Sequence, residues 1–200
     1  MSKEAKRPRT APTVKQLQKE LERVRYQQKL FRALRGTLVL LLVIAAAAAV
    51  TAAALPVFSV QSDCMAPALA KGDVVVGLRG DVFSQGDLAV FQFDGKTIIR
   101  RVIAVEGDVV DVRPDGTVVV NDQPLSETYA VYDAAGEIDI ELPCTVPEDG
   151  YFVLGDQRDA SVDSRSTAMG CISKEQMTGR IILRIWPFAR MGLLDGGEEE

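Results

Sequence analysis

From Thr37 to Val57 the chain reads TLVLLLVIAAAAAVTAAALPV, twenty-one residues without a charged side chain. As a helix rising about 1.5 Å per residue, such a run spans roughly 30 Å, the thickness of a bilayer's hydrocarbon core. A cleavable signal peptide is the alternative, and Ala52-Ala53-Ala54 offers an Ala-x-Ala-like site for it. Thirty-six residues precede the run, far more than the charged head of a signal peptide, and the run outlasts a usual signal-peptide core. The sequence therefore favours an uncleaved, single-pass anchor.

Charge is divided unequally by this run. Up to Gly36, eleven Lys or Arg are opposed only by Glu4, Glu20 and Glu22; beyond it, twelve basic side chains face twenty-five acidic ones. A basic flank places the N-terminus in the cytoplasm and the rest on the far side of the cell membrane. The basic head then serves membrane topology, with lipid and not nucleic acid as its partner. The expected organisation is a basic cytoplasmic tail with a helix over 1–36 and an anchor over 37–57. An extracytoplasmic domain over 58–190 and an acidic tail over 191–200 follow.

Residues 1–12 read as a disordered basic tail. From Thr13, a plausible N-cap, Val14, Leu17, Leu21, Val24 and Phe31 fall at spacings of three and four, interrupted by Gln28. That pattern suits a narrow helical seam, with a coiled-coil partner through 14–31, or an amphipathic helix lying on the inner membrane surface. Beyond Val57 the period becomes two. Strands are expected over Val74–Leu78, Leu88–Phe93, Thr97–Val105, Val109–Val112, Thr117–Val120, Ile138–Leu142, Tyr151–Leu154 and Gly179–Ile185. Asp94-Gly95, Asp115-Gly116, Asn121-Asp122 and Asp149-Gly150 mark the turns between them. A brief helix is expected near Ser173–Met177. Many short strands with tight turns predict an all-β fold, a mixed barrel or sandwich of hairpins, after one transmembrane helix and a short cytoplasmic helix.

The chain contains no histidine. That excludes Ser-His-Asp and Cys-His mechanisms and every histidine-containing metal site, and no metal or cofactor is expected. Cys64, Cys144 and Cys171 form an odd set. A Cys144–Cys171 bridge that leaves Cys64 free, or two small buried apolar residues, both fit the sequence.

Three segments carry chemistry. Ser62-Asp63-Cys64-Met65-Ala66-Pro67, with Leu69 beyond it, is the first. Arg100-Arg101-Val102-Ile103, followed by Gly107-Asp108, is the second. The third is Gly155-Asp156-Gln157-Arg158-Asp159-Ala160-Ser161-Val162-Asp163-Ser164-Arg165. In order and spacing they resemble the Ser-x-Ser-Met-x-Pro, Lys-Arg-Val-Ile…Gly-Asp and Gly-Asp-Asn-Arg-x-x-Ser-x-Asp-Ser-Arg boxes of bacterial type I signal peptidases. The likeness covers roughly residues 37–190.

In that family a serine attacks the scissile carbonyl and a lysine, its pKa lowered by burial, takes the proton. By position, the resemblance puts Cys64 at the nucleophile site and Arg100 at the general-base site. Ser62 would supply an oxyanion hydroxyl and Ser161 the hydroxyl that orients the base. Asp163 and Arg165 would hold their loop, and equally read as a purely structural ion pair. Val60, Met65, Leu69, Ile98 and Ile99 would line a shallow pocket for the small side chains of an Ala-x-Ala end, with the signal peptide of an exported preprotein added as a strand. Trp186-Pro187-Phe188 matches the family's terminal box and reads as core or membrane-surface packing. Tyr129-Ala130-Val131-Tyr132 reads as a loop or edge strand with no assigned role.

Both departures from the family fall on the catalytic pair. A thiol is a better nucleophile than a hydroxyl once ionised. A guanidinium stays protonated and cannot accept the proton. Lys96, ~13 Å away along an extended strand, is too far to stand in. Two readings follow. In one, Arg100 favours a ready Cys64 thiolate that needs no base to cleave signal peptides. In the other, a catalytic remnant binds signal-peptide-like segments or a partner without cutting them.

Overall fold

The computed structural model describes residues 14–80, 82–130 and 135–194. The basic tail, the Thr13 cap, Val131-Tyr132 and the acidic Asp195–Glu200 end lie outside the described residues, as do the side chains of Val14 and Leu17 in the expected seam. The chain divides into two compact units, residues 1–51 and 52–200.

The first unit is helical. Helix α1 runs Val14–Ala54, forty-one residues, so the segments expected as a short helix and an anchor form one continuous element. The reason lies in composition: no proline falls inside it, and Gly36 is its only glycine, a local penalty of about 1 kcal/mol against alanine. Pro56 ends it by disfavouring helical backbone at Leu55. Its Leu21–Thr51 stretch is long and apolar enough to cross a membrane. Of the seam, Leu21, Val24 and Phe31 are exposed.

The second unit is all-β. Its strands are β1 (Val57–Ser59), β2 (Val74–Leu78), β3 (Leu88–Phe93), β4 (Lys96–Val105), β5 (Val109–Val112), β6 (Val118–Val120), β7 (Gln123–Pro124), β8 (Cys144–Thr145), β9 (Gly150–Leu154), β10 (Ile172–Ser173), β11 (Met177–Trp186) and β12 (Gly192–Leu193). The larger sheet is ordered β1-β2-β11-β3-β4-β9-β10, with β12 beside β11; the smaller is β7-β6-β5-β8. Every pairing in them is antiparallel. Asp94 and Gly95 both take positive φ between β3 and β4, as do Asn121 and Asp122 between β6 and β7. Two left-handed residues in succession give the reverse turn whose twist matches the flanking strands.

Strand β4 organises the unit. It pairs with β3 along its whole described register from Lys96 to Arg101, yet β9 joins its other side only from Arg101 onward. The β9 pairing slips between Val102 and Ala104, a bulge that bends the strand. Val60, Met65, Leu69, Val75, Leu88, Val90, Ile99 and Ile181 form one buried cluster beside its first half. Ile103 and Ala104 enter a second cluster with Val110, Val118 and Phe152, between the two sheets.

The strand expected over Ile138–Leu142 is not formed. Its alternation is real, for Ile138, Ile140 and Leu142 pack partly buried against the cluster of Val110, Val118 and Phe152. Its backbone, however, is engaged by the neighbouring loop. Asp139 N–H donates to the Arg165 carbonyl at 3.1 Å, and the Asp139 carboxylate accepts from the Thr167 N–H and hydroxyl. Near Ser173 a single short 3-10 turn, Lys174–Gln176, takes the place of the expected helix.

Candidate active site

The first box is a turn leaving β1. Ala66 N–H donates to Asp63 O at 2.9 Å and Leu69 N–H to Met65 O at 2.7 Å, so the chain coils tightly around Cys64. Met65 and Leu69 are driven inward by this coiling and anchor the turn in the core, at 1% and 0% exposure. Cys64 is left partly exposed. Its thiol donates to the Ala160 carbonyl at 3.0 Å. Its own carbonyl accepts the Gln157 N–H at 2.9 Å. The first and third boxes, about ninety residues apart, are thus tied by two hydrogen bonds at the sulfur-bearing residue.

Arg100 lies on β4 opposite Ala89 of β3 and is buried. Its guanidinium donates three hydrogen bonds to two carbonyls. Nη1 donates to Ile99 O at 2.7 Å, and Nε and Nη2 both donate to Val162 O, at 3.2 and 2.9 Å. Burial pulls its pKa below the usual guanidinium value, while Cys64 and then Asp163 act electrostatically in the opposite sense and hold the charge. Sulfur and guanidinium therefore face each other as electrostatic partners, each hydrogen-bonded to the carbonyl of a neighbouring residue of the third box.

That box is locked from within. Arg165 grips Asp163 through two bonds of 2.9 Å, from Nε to Oδ1 and from Nη2 to Oδ2. Its remaining reach goes to Ala135 O at 2.6 Å and Arg158 O at 2.8 Å. Asp163 also accepts the Gly155 N–H at 3.1 Å. Asp156 makes a second bidentate pair with Arg101, at 2.9 and 2.7 Å. Both pairs are buried. Gly155 sits where the loop, Ser161 and the Cys64 carbonyl converge: a Cβ there would lie 2.3 Å from Ser161 Oγ and 2.9 Å from Cys64 O.

A cleft of about 440 Å³ opens over Cys64 and Arg100. Val60, Met65, Ile98, Ile99 and Ser62 line it, together with Val57, Ser59, Thr97, Ala160 and Val162. Among its described lining residues Cys64 and Arg100 are the only titratable side chains, and Lys96 is exposed outside it. Ser62 is exposed at the rim beside Cys64.

Two expectations differ from the geometry. Leu69 does not line the cleft; it is wholly buried in the cluster beneath, because the turn over Asp63–Leu69 rotates it into the core. Ser161 Oγ makes no hydrogen bond to the base position: it is buried without a hydrogen-bond partner. The forked guanidinium finds the carbonyls of Ile99 and Val162 instead, and the hydroxyl is left unused. What the sequence did not offer is the role of these backbone oxygens, which no side-chain motif encodes, and the participation of Glu127 and Tyr129.

A family model described as signal peptidase, peptidase S26, matches residues 33–186. The chain is 42% identical over 131 residues to probable signal peptidase I-2 of Synechocystis sp., a match covering 65% of this chain and 55% of that protein. It is 31% identical over 152 residues to signal peptidase IB of Staphylococcus aureus, covering 66% of this chain and 78% of the relative. A crystal structure of a signal peptidase I from Enterococcus faecalis matches with a TM-score of 0.43 and 28% identity, over 50% of this chain and 96% of that one. The chain thus spans about half the length of the Synechocystis relative. The chain belongs to the signal peptidase, peptidase S26 family.

Proposed function

We propose that the chain is a membrane-anchored signal peptidase relative, its β-unit extracytoplasmic, that seats the end of a preprotein's signal peptide in the cleft. It cleaves there, after an Ala-x-Ala-like site, through the Cys64 thiol. The observation that carries this reading is the juxtaposition of a nucleophile with a free strand edge. Cys64 opens into the same cleft as Thr97–Arg100, whose backbone lacks a β9 partner. A substrate strand laid on that edge brings its carbonyl toward Cys64, while the apolar lining from Val60, Met65, Ile98 and Ile99 accepts small side chains. Attack joins sulfur to the carbonyl carbon and the thiol proton leaves with the departing amine. Ser62 and backbone N–H groups receive the oxyanion.

A second reading is favoured by the state of Arg100. Its guanidinium is tethered to carbonyls by three hydrogen bonds and cannot accept a proton, and the described cleft lining holds no amine or carboxylate to serve as a base. On that ground the cleft binds signal-peptide-like segments without cutting them. Incubating the full chain in detergent with an Ala-x-Ala preprotein decides between them. Cleavage that disappears in Cys64→Ala supports the peptidase. Protection of the Cys64 thiol from alkylation by an uncleaved signal peptide supports the binder, and absence of both results overturns the two together.

A further inference from the structure

The stretch that offers its carbonyls to the site has little to hold it in place by itself. Asp159, Ala160 and Val162 are exposed, and Ser161 Oγ makes no bond. Beyond its bonds to Cys64 and Arg100, its position depends on the two posts that flank it. Asp163 and Arg165 form the post on the C-terminal side. The post on the N-terminal side is Arg158, whose Nε donates to Gly155 O at 3.0 Å and whose carbonyl receives Arg165 Nη2.

Arg158 is fixed in turn from outside the three boxes. Its guanidinium is paired with Glu127, both side chains being almost wholly buried, at 2% and 1% exposure. Glu127 also accepts the Tyr129 hydroxyl at 3.3 Å. Burial, reinforced by Glu127, pushes the Tyr129 phenol well above its ordinary pKa, so it remains a donor. The Tyr129 ring lies 3.8 Å from the Arg101 guanidinium, stacked against the residue that holds Asp156 and follows Arg100 in β4. Segment 127–129 therefore touches both halves of the site: the 155–165 loop through Arg158, and β4 through Arg101.

We propose that Glu127, supported by Tyr129, is a positioning residue of the Cys64–Arg100 site, clamping the loop whose Ala160 and Val162 carbonyls hold the sulfur and the guanidinium. A buried carboxylate opposite a buried guanidinium fixes geometry strongly, because releasing either partner strands a charge away from water. The inference rests on Cys64 and Arg100 being the working pair. It is read through thiol chemistry, so a chain that cuts no preprotein still answers it.

The experiment measures the rate of Cys64 alkylation by iodoacetamide in the full detergent-solubilised chain, by peptide-level mass spectrometry, well below the melting temperature of each variant. Glu127→Gln is compared with the parent and with Val118→Ala, a core truncation remote from the site. Loosening the loop frees the sulfur from Ala160, and Glu127→Gln is expected to alkylate at Cys64 about threefold faster or more, through local opening. Val118→Ala, destabilised through the core, is expected to keep the parental rate. If Glu127→Gln does not fold, Glu127→Asp, which keeps the charge and withdraws it by one methylene, is read in the same way. A parental rate in the folded Glu127 variant, or an equal change in Val118→Ala, overturns the proposal.

Discussion

Arg100 and Val162 are joined by two hydrogen bonds to a single oxygen, Nε at 3.2 Å and Nη2 at 2.9 Å. This chelation explains how a permanent cation is accommodated at a position where the family resemblance expects a neutral amine. The carbonyl takes over what a serine hydroxyl was expected to do, and Ser161 Oγ is left buried without a partner beside it. The site is therefore self-consistent with arginine, not merely tolerant of it.

Restoring the family's pair tests whether arginine is what limits chemistry. A lysine at 100 has a compact ammonium that cannot fork onto Val162 and is free to reach the orphaned Ser161 hydroxyl. Cys64→Ser/Arg100→Lys is expected to cleave an Ala-x-Ala preprotein about 10²-fold faster or more than Cys64→Ser alone, the usual contribution of a positioned base. Equal rates in gel-based cleavage assays would show that the obstacle lies elsewhere.

Gly155 provides a geometric probe of the same loop. A methyl group there would meet Ser161 Oγ at 2.3 Å, Ser161 Cβ at 2.5 Å and Cys64 O at 2.9 Å. Because the last contact is backbone, the clash cannot be relieved by turning one side chain. Gly155→Ala is expected to lower stability by about 1–3 kcal/mol in urea titrations, as overpacked interiors do. Cys64 alkylation should change with it, since the displaced turn carries the Cys64 carbonyl. An unaltered melt and rate would overturn the close approach of the first and third boxes at Gly155.

Much of this was legible in the sequence, for reasons that differ by element. Strands β2, β3 and β5 begin and end where apolar runs and turn residues predict, because β2 and β5 bury alternate residues, β3 is buried on both faces, and each turn is local. Ile138–Leu142 shows the limit of that logic: alternation reports which side chains face the core, and is silent on whether the backbone finds a partner strand. The two-residue strands β7, β8, β10 and β12 are too short to leave a period to read, and β8 and β10 are set by partners distant in sequence. At the site, Cys64, Arg100, Asp163 and Arg165 stand out through their box spacing. Glu127 does not, because its partner Arg158 is thirty-one residues away and nothing local announces the pairing.

The cysteine pair gives a prediction in pH. Burial, and secondarily Cys144, pushes the Cys171 thiol up to about 11, and burial also raises Cys144. The unfolded thiol ionises near ~8.5, so between that value and about 11 the unfolded chain releases protons that the folded chain retains. Stability from this source is fully present below the unfolded pKa and declines as pH rises through the window. Cys171→Ala is expected to melt with a smaller drop than the parent as pH rises from about 8.5 to about 10, within that window. A parallel drop in parent and variant would remove Cys171 as the cause.

Asp163→Asn isolates the ion pair that holds the C-terminal post. Arg165 is 2% exposed, with Asp163 as its one carboxylate partner among the described residues. Replacing that carboxylate by an amide leaves a guanidinium charge buried against carbonyls that cannot neutralise it, a loss of about 3–5 kcal/mol, or roughly 10 °C in melting temperature for a unit of this size. The paired change Asp163→Asn/Arg165→Met removes the stranded charge along with its partner and is expected to recover part of that loss in thermal melts. The two effects separate folding from site geometry. If the double variant regains stability while Cys64 alkylation stays altered, the ion pair positions the loop in addition to stabilising it. Recovery of both together would make it a structural pair alone, and a single variant as stable as the parent would mean that Arg165 finds its compensation outside Asp163.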